Sequence, residues 1–146
     1  MGTKNETAIQ KFTSGYNCAQ AILYSFKDEI NIDGDTALKM ACGFGAGMGR
    51  KGEVCGAVTG GIIVIGAKYG RGENDEKTAT EKTYTKTREL MNKFETKHGA
   101  FICRDLLNGC DLSTEEGQMN FRNNDLFNNT CKKCVGNVVQ ILEEIL

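Results

Sequence analysis

The sequence contains no proline and a single histidine, His98. Without proline, no interior position loses its backbone donor, so long helices are open to this chain. No HExxH pair, Ser-His-Asp set or paired-carboxylate signature is present, which removes the common zinc-hydrolase, serine-hydrolase and glycosidase readings. Long apolar runs are also missing. The longest, Gly61 to Ala67, falls far short of the roughly 20 residues a membrane helix needs. Excess charge of one sign is lacking too: the formal net charge is -1, which gives no electrostatic case for nucleic acid or an anionic membrane. The segment Met1 to Gln10 is polar and has no apolar h-region of a signal peptide. The start Met1-Gly2-Thr3-Lys4-Asn5-Glu6 lacks the Ser or Thr that a myristoylation signal carries at its sixth position. These absences point to a cytoplasmic protein, where thiols are mostly kept reduced.

Two residue types are abundant instead. Glycine reaches 18 and cysteine seven: Cys18, Cys42, Cys55, Cys103, Cys110, Cys131 and Cys134. An odd count leaves at least one thiol outside any intramolecular pair. In a reducing compartment such cysteines are ligands, catalysts or small core residues more often than bridges. The chain's 146 residues suit one domain that buries a core without disulfide staples.

Hydrophobic periodicity predicts a mainly helical chain. Thr3 with Glu6 reads as a capping box for a first helix, and Ser14-Gly15 as a break. Asn17 is a good N-cap for a helix bearing Ala19, Ile22, Leu23, Phe26 and Ile30 on one side. Cys18 then sits at its first position, where free N–H groups favour a thiolate. Asp33-Gly34-Asp35 reads as a turn and N-cap before a helix ending near Cys42. As a calcium loop it fails, because the glycine is misplaced and no acid stands at the twelfth position. Gly43 to Gly52, GFGAGMGRKG, holds five glycines and predicts no regular element. The run Cys55 to Gly66 fits either a strand, from its β-branched residues, or a closely packed helix, from Gly56 and Gly60; periodicity does not decide for a run this short, and the helix is preferred partly on the resemblance given below. Glu73 to His98 predicts a long helix striped by Tyr84, Leu90, Met91 and Phe94 and stopped at Gly99. A short helix carries Cys103. Ser113 with Glu116 reads as a second capping box, Asn120 to Thr130 as an asparagine-rich loop, and Val135 to Ile145 as the last helix, with Cys131 and Cys134 at its start.

Cys131-x-x-Cys134 is a CxxC at a helix start. One of its thiols can be acidified and attack a disulfide while the other resolves it. The pair can also bite zinc or iron, with Cys103, Cys110 or His98 completing a site. His98 reads better as a residue capping a helix end. Gly47-x-Gly49-x-x-Gly52 formally matches a dinucleotide fingerprint, but no strand precedes it and no P-loop Lys-Ser/Thr follows. The better reading has the glycine backbone wrapping near Cys55, its N–H groups donating to a thiolate or sulfide. The mixed charges around Lys82 and Glu89 form a solvated helix face.

In order, Gly15-Tyr16-Asn17-Cys18-Ala19-Gln20-Ala21, Phe44-Gly45-Ala46-Gly47-Met48-Gly49 and Cys55-Gly56-Ala57-Val58-Thr59-Gly60-Gly61 resemble the redox-active family named for its C_GCAxxG_C_C cysteine pattern. The similarity continues at Cys103-Arg104-Asp105-Leu106-Leu107 and from Cys131 to Leu142, so it covers nearly the whole chain. It implies an all-α bundle of about five to seven helices with a glycine-rich loop, one redox domain over residues 1–146. Matched position by position, it implies four functional cysteines, Cys18, Cys55, Cys103 and Cys131, with Cys134 the alternative to Cys131. Cys42, Cys110 and Cys134 depart from the pattern. The same four thiols are the expected metal ligands if the protein carries an iron–sulfur cluster, a cofactor that relatives fused to multihaem carriers suggest; otherwise no cofactor is expected. Gly45, Gly47, Gly49 and Gly56 are then the expected backbone contacts to it. The expected activity is electron transfer or thiol/disulfide chemistry with a redox partner protein, without nucleic acid or membrane insertion; a homodimer is compatible with it. The competing reading is a non-catalytic zinc-binding or interaction module with structural cysteines.

Overall fold

Short polar side chains open four of the eight helices described. The structure is a computed structural model and describes residues 3–146; Met1 and Gly2, on which the myristoylation reading falls, lie outside the described residues. Thr3 accepts the Glu6 N–H at 3.1 Å and starts α1 (Lys4–Thr13). Asn17 and Gln20 exchange two side chain–backbone bonds of 2.9 Å and start α2 (Cys18–Ser25). Asp33 accepts the Thr36 N–H at 2.8 Å and starts α3 (Gly34–Ala41). The ambiguous apolar run is helical: α4 spans Gly56–Tyr69. The long helix α5 covers Thr78–His98 and ends at Gly99, whose φ of 83° lets the chain turn away. A single turn, α6 (Cys103–Leu106), is followed by α7 (Glu115–Asn123) and α8 (Lys132–Ile145).

Some boundaries differ from the sequence reading. α5 begins five residues after Glu73, and Tyr84 faces solvent, so Leu90 and Phe94 alone are its fully buried residues. Thr114, not Ser113, caps α7 by accepting the Gly117 N–H at 2.9 Å; Ser113 bonds Asp111 instead. The asparagine-rich stretch is not a loop. α7 runs to Asn123, and Phe127–Cys131 forms a five-residue π-helical turn leading into α8. Its asparagines close their own turns, as Asn124 does on the Asn120 carbonyl at 3.0 Å, while Phe121, Leu126 and Phe127 pack inward.

Among the described residues there are eight helices and no strand, so the fold is all-α. α4 lies at the centre and is buried on most of its circumference. α2 approaches it through two glycines: a Cβ on Gly60 would stand 2.9 Å from the Ala19 carbonyl oxygen, and one on Gly56 3.3 Å from the Cys18 Cβ. The other side of α4 meets α5 and α8, with Gly61 against Leu90 and Val138. One core joins α1 to α5 and α8; a small satellite of Cys103, Leu107 and Cys110 sits beneath α7. No helix among the described residues is long and apolar enough to cross a membrane.

Candidate functional site

Five cysteines meet at one end of the central helix. Cys18 is the first residue of α2, held there by the Asn17–Gln20 box. Cys55 is the residue on which α4 starts, and Cys103 opens α6. Cys131 ends the π-helical turn, and Cys134 lies in the first turn of α8. A short antiparallel bridge between Val54 and Ile102 brings two of them side by side. In it Cys55 donates its N–H to the Phe101 carbonyl at 2.8 Å, and Cys103 donates to the Glu53 carbonyl at 2.6 Å. All five line one cavity of about 390 Å³. Phe12 and Phe127 form part of its wall, stacked with ring centroids 4.2 Å apart. Cys42 is exposed, and Cys110 is buried with its thiol donating to the Gly117 carbonyl at 2.9 Å; neither reaches the cavity. His98 stacks on Phe94 and bonds Asn137, away from the thiols.

The glycine run is a left-handed turn. Ala46, Gly47, Met48, Gly49 and Arg50 all have φ between 54° and 70°. For the three non-glycine residues this conformation costs about 1–2 kcal/mol each, and such strain persists only where the surroundings enforce it. Here the Gly47 carbonyl accepts the Glu53 N–H at 2.9 Å, and the Arg104 guanidinium donates to the Lys51 carbonyl at 2.8 Å. Gly47 itself has no room for a side chain, since a Cβ would stand 2.8 Å from the Cys103 Cβ. The loop therefore wedges against Cys103 rather than merely passing near Cys55. Of the four glycines expected at the site, only Gly56 lines the cavity; Gly45, Gly47 and Gly49 act behind it, while Ala46 and Arg50 face it.

The thiols interact in pairs. The Cys134 thiol beside Cys55, helped by the Ala57 and Val58 N–H groups, holds the Cys55 thiol below its ordinary pKa despite burial. The same contact, with burial, pushes the Cys134 thiol far up, so Cys134 is the proton donor of the pair. Cys18 pairs with Cys131, and that bond together with burial raises Cys18 well above the thiol range. The expectation that the α2 start acidifies Cys18 is thus overturned: a half-buried sulfur next to three other thiols is cheaper to keep neutral than to charge. The acidified cysteine is Cys55, at the start of α4. Cys103, desolvated and beside Cys55 and Cys131, is pushed up to about 12.

Among the described residues, no group of three or more His, Cys, Asp or Glu side chains could hold a metal ion. A cluster of iron and sulfide asks instead for thiols around a void. Cys18, Cys55, Cys103 and Cys131 meet that demand chemically, as four sulfur donors from separate elements around one cavity. Sequence reasoning placed these four together but missed the Cys55–Cys134 pair, which joins positions 79 residues apart. It also missed Arg50 and Arg122 at the cavity mouth, which carry no local signal.

The model of the family described as "Putative redox-active protein (C_GCAxxG_C_C)" matches residues 16–145. The chain belongs to this family. No curated protein and no solved structure matches it.

Proposed function

We propose that this member of the C_GCAxxG_C_C family works by dithiol–disulfide exchange at its cavity-lining thiols. The observation that supports this most is the placement of Cys55 and Cys134 in one cavity wall, where Cys55 is the more easily ionised thiol and Cys134 the one that keeps its proton. The Cys55 thiolate attacks one sulfur of an incoming disulfide. That S–S bond breaks, its far sulfur leaves as a thiolate, and a mixed disulfide forms on Cys55. Cys134 then gives its proton to the departing thiolate and attacks the Cys55 sulfur, releasing the second half of the substrate. The Cys55–Cys134 pair has lost two electrons and the substrate disulfide has gained them; one of the two product thiols takes its proton from Cys134 and the other from water. Cys18 and Cys131, half-buried, form a second pair nearer solvent, and Cys103 stands beside Cys55 and Cys131.

One observation favours a second reading. Four cysteines from separate elements around one void also suit an iron–sulfur cluster. Cys18, Cys55, Cys103 and Cys131 would hold it, and when bound it would supply one-electron transfer.

Anaerobic purification separates the readings. The dithiol reading expects a colourless, iron-free protein with a reversible two-electron couple. Oxidation should lower its mass by about 2 Da per disulfide formed, with Cys55 linked to Cys134 in peptide maps and the couple lost in Cys55→Ser. A brown protein containing iron and sulfide would replace it with the cluster. Stoichiometric zinc without a redox couple would overturn both in favour of a metal-binding module.

A further inference from the structure

The cavity over the thiols has an uneven mouth. Its lining includes two arginines, Arg50 and Arg122, and no aspartate, glutamate or lysine. Both arginines are exposed, and neither takes part in an ion pair among the described residues. The chain as a whole carries a net charge of -1, so this local excess of positive charge is set by placement rather than composition. Arg50 is held on the strained left-handed turn, with φ 70°. That turn is stitched to the thiol end of the molecule by the Glu53–Gly47 and Arg104–Lys51 hydrogen bonds. Arg122 comes from α7, the helix lying over the satellite of Cys103, Leu107 and Cys110. Apart from the arginines and thiols the lining is mostly apolar, with Leu106 and Phe127 among its residues and Asn17, Gln118 and Thr130 as its neutral polar ones. A void of about 390 Å³ lies within the range that takes a small organic molecule, roughly 300–1,000 Å³. A guanidinium is suited to carboxylates and phosphates, which it can grip with two parallel N–H groups.

We infer that this cavity is the substrate site of the thiol centre and that it takes a small anionic disulfide, its carboxylate or phosphate held by Arg50 and Arg122 while its apolar body reaches the thiols. The inference rests on the dithiol reading for the disulfide and on the cavity alone for the anion. The reaction balances as one substrate disulfide plus two protein thiols giving one protein disulfide plus two small thiols.

Three disulfides of similar size and different charge test it: anionic 3,3′-dithiodipropionate, neutral 2-hydroxyethyl disulfide and cationic cystamine. Each is mixed with the reduced full-length protein, and the rate of thiol loss is followed. The wild type should react with the anion at least about tenfold faster than with the cation after correction for their intrinsic reactivities, and the preference should shrink with added salt. Arg50→Gln with Arg122→Gln should lower the rate for the anion about tenfold and leave the neutral disulfide within about twofold, since each lost charged contact is worth about one factor of ten or less at an exposed site. Suberate, a dicarboxylate of matching length with no sulfur, supplies the second readout. It should perturb the NMR signals of cavity residues in the wild type and not in the double variant. Equal rates for all three disulfides, or a charge preference unchanged in the double variant, overturns the anion site while leaving the dithiol reading intact. Suberate binding without oxidation by any disulfide keeps the anion site and removes its redox role.

Discussion

Replacing Gly47 by alanine tests whether the glycine turn is a structural wedge against Cys103. Gly47 combines two demands that its neighbours separate. Its φ is 67°, and a Cβ there would stand 2.6 Å from the Glu53 nitrogen and 2.8 Å from both the Cys103 Cβ and the Gly52 carbonyl carbon. Gly49 has φ 60° but nothing within 4 Å, and Gly43 has neither a positive φ nor a neighbour within that distance. The left-handed backbone alone costs a side chain about 1–2 kcal/mol, and forcing a methyl group into packed backbone adds about 1–3 kcal/mol. Gly47→Ala should therefore destabilise by about 2–5 kcal/mol, Gly49→Ala by about 1–2 kcal/mol, and Gly43→Ala by no more than about 0.5 kcal/mol. At about 2–4 °C per kcal/mol for a chain near this size, Gly47→Ala should lower Tm by about 5–15 °C. Urea unfolding of the three reduced variants measures the series, read at constant m-value. Because two of the clashing atoms are backbone, relief must move the Gly52–Glu53 backbone or Cys103, so alkylation of Cys103 should change in Gly47→Ala and not in Gly49→Ala. Equal penalties for Gly47→Ala and Gly49→Ala would refute the wedge, since the two share only their backbone conformation.

Two further outcomes follow from the thiol electrostatics. Absorbance titration at 240 nm of the reduced protein should show one thiolate forming below the ordinary thiol range, lost in Cys55→Ala. Its midpoint should rise in Cys134→Ala, which removes the donor; an unmoved midpoint would show that the α4 N–H groups alone acidify Cys55. The second outcome concerns alkaline stability. In the folded state Cys103 keeps its proton up to about 12, while the unfolded chain gives it up near pH 8.5. The folded state binds the extra proton between those values, so stability is full below about pH 8.5 and falls by up to about 1.4 kcal/mol per pH unit above it. Cys18 and Cys134, raised for related reasons, act in the same direction, and Cys55, lowered, gives no loss there. Urea midpoints between pH 8 and 10 should drop in the reduced protein and drop less steeply in Cys103→Ala; identical slopes would remove Cys103 from the account.

Local signals in this chain act over a few residues, and those were legible. Asn17 with Gln20, Asp33 with Thr36, and Gly99 each use a side chain or a φ angle that needs no distant partner, so α2, α3 and the end of α5 fall where the sequence puts them. The absence of proline and the spacing of apolar residues were enough for a mainly helical chain, and the ordered motifs were enough for the family and, through it, the all-α class. The four cysteines singled out beforehand all line the same cavity. What composition and spacing could not supply was which sulfur is the easiest to ionise. A thiol's pKa depends on burial and on the atoms within a few ångströms, and those come from other segments. Cys18 has the better helix start by sequence, yet Cys131 and burial keep it neutral, while Cys134 and the α4 N–H groups favour the charge on Cys55. The run after Cys55 is a helix because α2 needs Gly56 and Gly60 to approach it, a contact between separate segments. The left-handed turn at 46–50 likewise depends on Glu53, Cys103 and Arg104 to hold it. Residue types and local spacing thus set the elements and the presence of thiol chemistry. The meeting of the Val54–Ile102 bridge, the glycine turn and the start of α8 decided which thiols pair and which one gives up its proton most easily.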